Sequence, residues 1–138
     1  MCADAVVFFD PALAQDFRRR MKRAGHDVAK ARFLAAQLIE FVRGDLWLQN
    51  ARRANAAARL LAHLLEQVPG AQLLFPVHGN MVFVALPDAL ARKAADSGMP
   101  LRAYPRFSPD GAQAYRLVTS FRTSDAEIAA FGALLRAS

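Results

Sequence analysis

Arg116 sits inside an apolar stretch rich in β-branched and aromatic residues, Tyr115-Arg116-Leu117-Val118-Thr119-Ser120-Phe121. A run of that composition reads as a strand. A guanidinium buried in a strand needs a carboxylate from the chain or an anion from a ligand, because leaving it unpaired costs several kcal/mol. Asp110, Asp125 and Glu127 are the candidate partners within the chain. The planar fork of arginine also suits bidentate capture of a carboxylate, so the alternative is a small-molecule acid such as an amino acid.

The other chemistry-bearing residues exclude more than they suggest. His26, His63 and His78 lack metal-ligand spacing, and the single cysteine, Cys2, can neither complete a zinc site nor form an internal disulfide. His63 falls beside the apolar stripe of a helix and reads as a packed or surface residue. His78, in a turn between strands, is the better-placed base but has no partner near it in sequence. Nucleotide-binding glycine patterns, a phosphate loop and a nucleophile elbow are all missing. Five of the six residues from Arg18 to Arg23 are basic, within a net charge of +6 and a pI near 10.4. On a helix these charges spread around the cylinder, so no single stripe tracks a duplex, and a solvated or interface face is expected rather than a nucleic-acid site.

The elements that must position Arg116 follow from periodicity and punctuation. With 54% apolar and 22% charged residues in 138, the chain is expected to be globular, and no apolar run reaches the length of a membrane helix. The single cysteine and the acidic Asp4 near the N-terminus fit a cytoplasmic protein. Ala5-Val6-Val7-Phe8-Phe9 reads as a strand buried on both faces, yet few strands follow it before residue 70, so it should lack sheet partners within the chain. Asp10-Pro11 starts a helix that Gly25 stops. His26-Asp27 opens a second, periodic to Val42, and Asp45 caps a third that Pro69-Gly70 ends.

From residue 71 the pattern changes. Residues 72–76 and 81–86 read as strands, Pro87 starts a helix that Gly98 ends, and 101–104 and 115–121 are further strands. Ser124 and Glu127 form a capping box for a final helix to about Arg136. The expected fold class is α/β, of the α+β kind: long helices lead into a small, mostly antiparallel sheet covered by helices on one face. The expected division is 1–44, a remnant strand with connecting helices, and 45–138, a small C-terminal α/β domain.

The motifs taken together resemble a known family. Ala5-Val-Val-Phe-Phe-Asp-Pro, Lys22-Arg-Ala-Gly-His26, Arg32-Phe-Leu-Ala-Ala-Gln37, Leu46-Trp-Leu with Asn50-Ala-Arg and Asn55, Asn80-Met-Val-Phe-Val and Arg116-Leu-Val-Thr-Ser-Phe121 are similar to the C-terminal part of low-specificity threonine aldolases. These are β-eliminating-lyase relatives among the fold-type I pyridoxal-phosphate enzymes. The resemblance implies a small domain of an oligomeric lyase that cleaves β-hydroxy-α-amino acids to glycine and an aldehyde. It also implies that Arg116 binds the substrate carboxylate. Lys22, Arg23 and Lys30 fall in the region that reaches the cofactor phosphate of a neighbouring subunit, although this chain reads Val28-Ala-Lys-Ala where the family has Arg-Gln-Ser-Gly.

The departures shape the functional expectation. The family's Schiff-base lysine, the acidic partner of the cofactor ring and the histidine stacked on that ring all belong to a part that precedes the segment matched by this chain. The chain alone is therefore expected to be inactive. Arg122 stands where the family commonly has an acidic residue, which raises the positive potential beside Arg116. The alternative expectation is a non-catalytic small-domain remnant that binds a partner chain or an acidic ligand. Neither membrane nor nucleic acid is an expected partner.

Overall fold

Val82, Val84 and Leu86 alternate with Met81, Phe83 and Ala85 along one strand, and the first set is wholly removed from solvent. Each such aliphatic side chain contributes about 1.5–3 kcal/mol on burial, which makes this face the base of a core. A computed structural model of the chain describes residues 5–109 and 112–137. It divides the chain into two units, Met1–Trp47 and Leu48–Ser138.

In the first unit, the Asp10 side chain accepts a hydrogen bond from the Ala12 amide at 2.9 Å and Pro11 follows at the first helical position. Those signals start a short 3-10 turn, Pro11–Ala14, instead of the single long helix expected to Gly25. The helix proper, α1, is Phe17–Arg23, and Gly25 ends it with φ +77°. α2, Ala31–Val42, begins five residues after His26, because 28–31 form a turn closed by the Ala31 amide on the Val28 carbonyl. No residue of α2 is buried. Residues 5–9 form no strand: among the described residues of this unit no strand is present to pair with them. Phe8 packs edge-on against Phe17 at 4.9 Å, while Phe9 is 98% exposed.

Gly44, at φ +62°, turns the chain into α3, Leu46–Leu65. Within the second unit α3 buries Ala54, Ala57, Ala58, Leu61, Ala62 and Leu65. The residues run on i, i+3, i+4 spacing, so they form one apolar face. Small alanines let neighbours approach closely, and α5, Asp125–Arg136, uses a glycine for the same purpose. A Cβ on Gly132 would lie 2.3 Å from both Leu64 methyls. α5 starts from the expected capping box, with Ser124 Oγ accepting from the Glu127 amide and Glu127 accepting from the Ser124 amide.

The sheet is antiparallel and three-stranded in the order β1-β2-β3, with β1 Gln72–Leu73, β2 Met81–Leu86 and β3 Gln113–Val118. α4, Asp88–Asp96, follows Pro87 and stops before Gly98. The strand expected at 101–104 is reduced to one bridge, Ala103 opposite Tyr115. Pro100 and Pro105 bracket it and cannot donate to a ladder. One face of the sheet, carrying Val82, Val84, Leu86 and Tyr115, packs with α3, Ile128 and Leu135 in a single core.

Candidate functional site

Register puts Arg116 on the other face of the sheet. Arg116 pairs with Phe83 across β2 and β3, so both side chains point away from the Val82, Val84 and Tyr115 set. What meets Arg116 there is aromatic. Its guanidinium carbon lies 5.6 Å from the Tyr104 ring centroid, a cation–π contact. Tyr104 stacks on Phe107 at 5.4 Å and 13°, and Phe83 meets Tyr104 edge-on at 5.6 Å. Phe75 closes the group by edge contacts to Phe83 and Phe107. These rings fix the arginine in direction without neutralising it.

Among the described residues an ion pair joins Arg43 to Glu40 and His63 Nδ1 lies 3.5 Å from Glu66, and neither contact reaches Arg116. Of its expected partners, Glu127 is committed to the cap, accepting from the Ser124 amide at 2.7 Å and the Ser124 hydroxyl at 2.9 Å. Those hydrogen bonds, backbone first, hold its carboxyl below the ordinary glutamate value. Asp125 is exposed in the first turn of α5, and Asp110 lies outside the described residues. Arg116 Nε is buried and has no hydrogen-bond partner. An unpaired buried donor is costly to the folded state.

Arg116 also lines a cavity of about 390 Å³. Leu61, Leu101, Ile128 and Phe131 supply apolar wall, and Arg102, Arg116 and Glu127 are among its other lining residues. The strand is held at this end by Thr119, which is buried. Its hydroxyl donates to the Ala54 carbonyl of α3 at 2.7 Å, and its amide donates to the Asn80 carbonyl at 3.0 Å. Asn80 Nδ2 returns a bond to the Thr119 carbonyl at 2.9 Å. Three hydrogen bonds thus tie β3 to α3 and to the start of β2 just beyond the arginine.

Lys22 and Arg23 occupy the last turn of α1 and Lys30 the residue before α2, all three exposed, and no salt bridge among the described residues engages them. His63 lies on the exposed side of α3, beside Glu66 and Gln67, and His78 is exposed in its turn. Cys2 lies outside the described residues. Among those described, no group of histidine, cysteine and acidic side chains forms a metal site. No helix of the described residues is long and apolar enough to cross a membrane.

Sequence reasoning singled out Arg116 but did not anticipate what surrounds it. Tyr104, Phe107 and Arg102 belong to the same face of the sheet. The signal was the alternation Leu101-Arg102-Ala103-Tyr104, which sends Arg102 and Tyr104 to one side once Ala103 is set opposite Tyr115.

Comparison with known proteins places these features in context. No family model matches the chain. A low-specificity L-threonine aldolase of Pseudomonas aeruginosa is 47% identical over 85 residues, 62% of this chain and 25% of that protein. Another, from a Pseudomonas species, is 34% identical over 134 residues, 97% of this chain and 37% of that protein. Among solved structures, the threonine aldolase of Leishmania major superposes with a TM-score of 0.73 at 27% identity, over 91% of this chain and 36% of that one. The present chain's mixed helices and three-stranded antiparallel sheet match the small-domain part of fold-type I pyridoxal-phosphate enzymes. The chain spans between a quarter and a little over a third of the length of these relatives.

Proposed function

Because the chain belongs to the low-specificity L-threonine aldolase family and corresponds to a segment of its members, we propose that it is the C-terminal, carboxylate-binding part of a pyridoxal-phosphate-dependent carbon–carbon lyase. The reaction of the whole enzyme would be cleavage of a β-hydroxy-α-amino acid to glycine and an aldehyde. Arg116 is the clamp for the substrate's α-carboxylate. The observation that carries this reading is its buried, partnerless Nε, held against Tyr104, with no ion pair among the described residues reaching it.

Arg116 would orient the substrate by two parallel N–H···O bonds, and the rings of Tyr104, Phe107 and Phe83 would keep the fork from turning. The exposed cations Lys22, Arg23 and Lys30 suit a phosphate, and we assign them to the cofactor's phosphate across a subunit boundary of a cytoplasmic oligomer. When bound, pyridoxal phosphate supplies the electron sink for charge left on the substrate's α-carbon. Nothing in this chain's cavity can hold that cofactor covalently: no lysine lines it, and Lys93 donates its Nζ to the Ala137 carbonyl.

On this reading the Arg116 site is a binding element that needs a lysine from elsewhere for turnover. Purified chain given pyridoxal phosphate and L-threonine should release no glycine above a blank, and mixing it with a polypeptide that supplies the large domain should restore release. Turnover by the chain alone, abolished by replacing one of its own lysines, would sink this reading. A second reading, a non-catalytic remnant that pairs with another chain, is favoured by the first unit. There Phe9, Phe33, Ile39 and Val42 are exposed and α2 buries nothing. Tight association on mixing without any glycine release would select it.

A further inference from the structure

Arg102 is the residue opposite Arg116 at the edge of the sheet. Ala103 bridges Tyr115, the Arg116 amide donates to the Arg102 carbonyl at 3.2 Å, and the Tyr104 amide donates to the Ala114 carbonyl at 2.7 Å. That pattern carries Arg102 across from Arg116 on the same face, at the roughly 5 Å Cβ separation of cross-strand neighbours. Like charges in that relation repel, and a chain selected for stability alone would set a carboxylate or a neutral residue there. No ion pair among the described residues relieves either arginine.

Building on the reading of Arg116 as a carboxylate clamp, we propose that Arg102 and Arg116 form a paired anion site, which selects amino acids bearing a second carboxylate on the side chain over neutral ones. Arg116, fixed against Tyr104, takes the α-carboxylate. Arg102, exposed and unstacked, turns to the side-chain carboxylate. A monoanion satisfies Arg116 and leaves Arg102 to water. A dianion satisfies both forks and removes their mutual repulsion, so its advantage comes from the protein as well as from the added contact.

L-Aspartate and L-asparagine have nearly the same shape and differ by one charge, which makes them the probes. Their affinities for the full chain are to be measured by calorimetry at fixed ionic strength, in wild type and in Arg102→Gln, Arg102→Lys, Arg116→Gln and, as a charge control, Arg136→Gln. Arg136 lies in the last turn of α5 and is exposed. The expected result is an aspartate preference of about tenfold, the ratio that one good charged contact gives. Arg102→Gln should abolish it, lowering aspartate affinity more than asparagine affinity, Arg102→Lys should weaken it, and Arg136→Gln should leave it intact. If both amino acids bind equally, or the preference survives Arg102→Gln, the pairing is overturned while the Arg116 clamp stands. Loss of preference in Arg136→Gln as well would overturn it by showing a general charge effect. If neither amino acid binds, or Arg116→Gln changes nothing, the clamp fails and the pairing with it.

Discussion

Replacing Arg116 by methionine should make the folded chain more stable while abolishing carboxylate binding. The substitution removes a buried donor with no partner, which costs the native state about 1–3 kcal/mol. It also removes the charge opposite Arg102, worth about 0.2–1 kcal/mol for a like-charged cross-strand pair. Against this stands the cation–π contact to Tyr104, worth about 0.5–1 kcal/mol. Methionine keeps much of the stem and a sulfur contact to the ring. The balance favours the variant by about 1–2 kcal/mol, or a rise in Tm of about 3–8 °C for a domain of this size. Urea unfolding followed by circular dichroism would show it as a higher midpoint at unchanged slope. A loss of more than about 1 kcal/mol would mean that Arg116 makes a structural interaction, and the inference that its partner is a ligand would be wrong.

Thr119→Val keeps the shape of the side chain and removes the hydroxyl that bonds the Ala54 carbonyl; it should cost about 1–2 kcal/mol in urea unfolding, and a cost near zero would show that the link to α3 does not hold β3. Ser124→Ala deletes the capping side chain of α5 and should cost about 1 kcal/mol. The same cap lowers the Glu127 carboxyl, so its contribution is complete above the ordinary glutamate range and fades as pH falls below it; Ser124→Ala should flatten that acid limb in stability measured against pH. Burial, and then the charge of Asp88, raise the Tyr115 phenol, so its contribution is complete below the ordinary tyrosine range and is lost as pH rises through the raised value. Tyr115→Phe should remove that part of the alkaline loss, and an unchanged alkaline limb would contradict the assignment.

What the sequence revealed and concealed follows from which physics is local. The capping box at Ser124 and Glu127, the stop at Gly98 and the strand 81–86 depend on residues within a few positions, and all were legible. The long first helix was not, because Asp10-Pro11 signals a start and says nothing about how far the helix runs past Asp16, which makes no side-chain cap. Residues 5–9 have the composition of a strand, but a strand exists only against a partner edge, which composition cannot supply. The face of Arg116 and the ring beneath it both depended on a register. Tyr104 reaches Arg116 through one bridge between Ala103 and Tyr115, twelve positions apart, and no local pattern encodes it. Lys22, Arg23 and Lys30 rest on resemblance alone, since exposed cations carry no signal of what they bind.

The central claim is that the anion Arg116 lacks comes from a ligand's carboxylate. Its most direct test is the nuclear magnetic resonance of the Arg116 Nε–H group in chain labelled with nitrogen-15, assigned by its loss in Arg116→Gln, during titration with L-threonine and with the amino alcohol that carries a hydroxymethyl group in place of threonine's carboxylate. The account predicts a saturable shift with L-threonine, protection of that proton from exchange, and no response to the amino alcohol. An Nε–H resonance that ignores both, or moves equally with both, would contradict it.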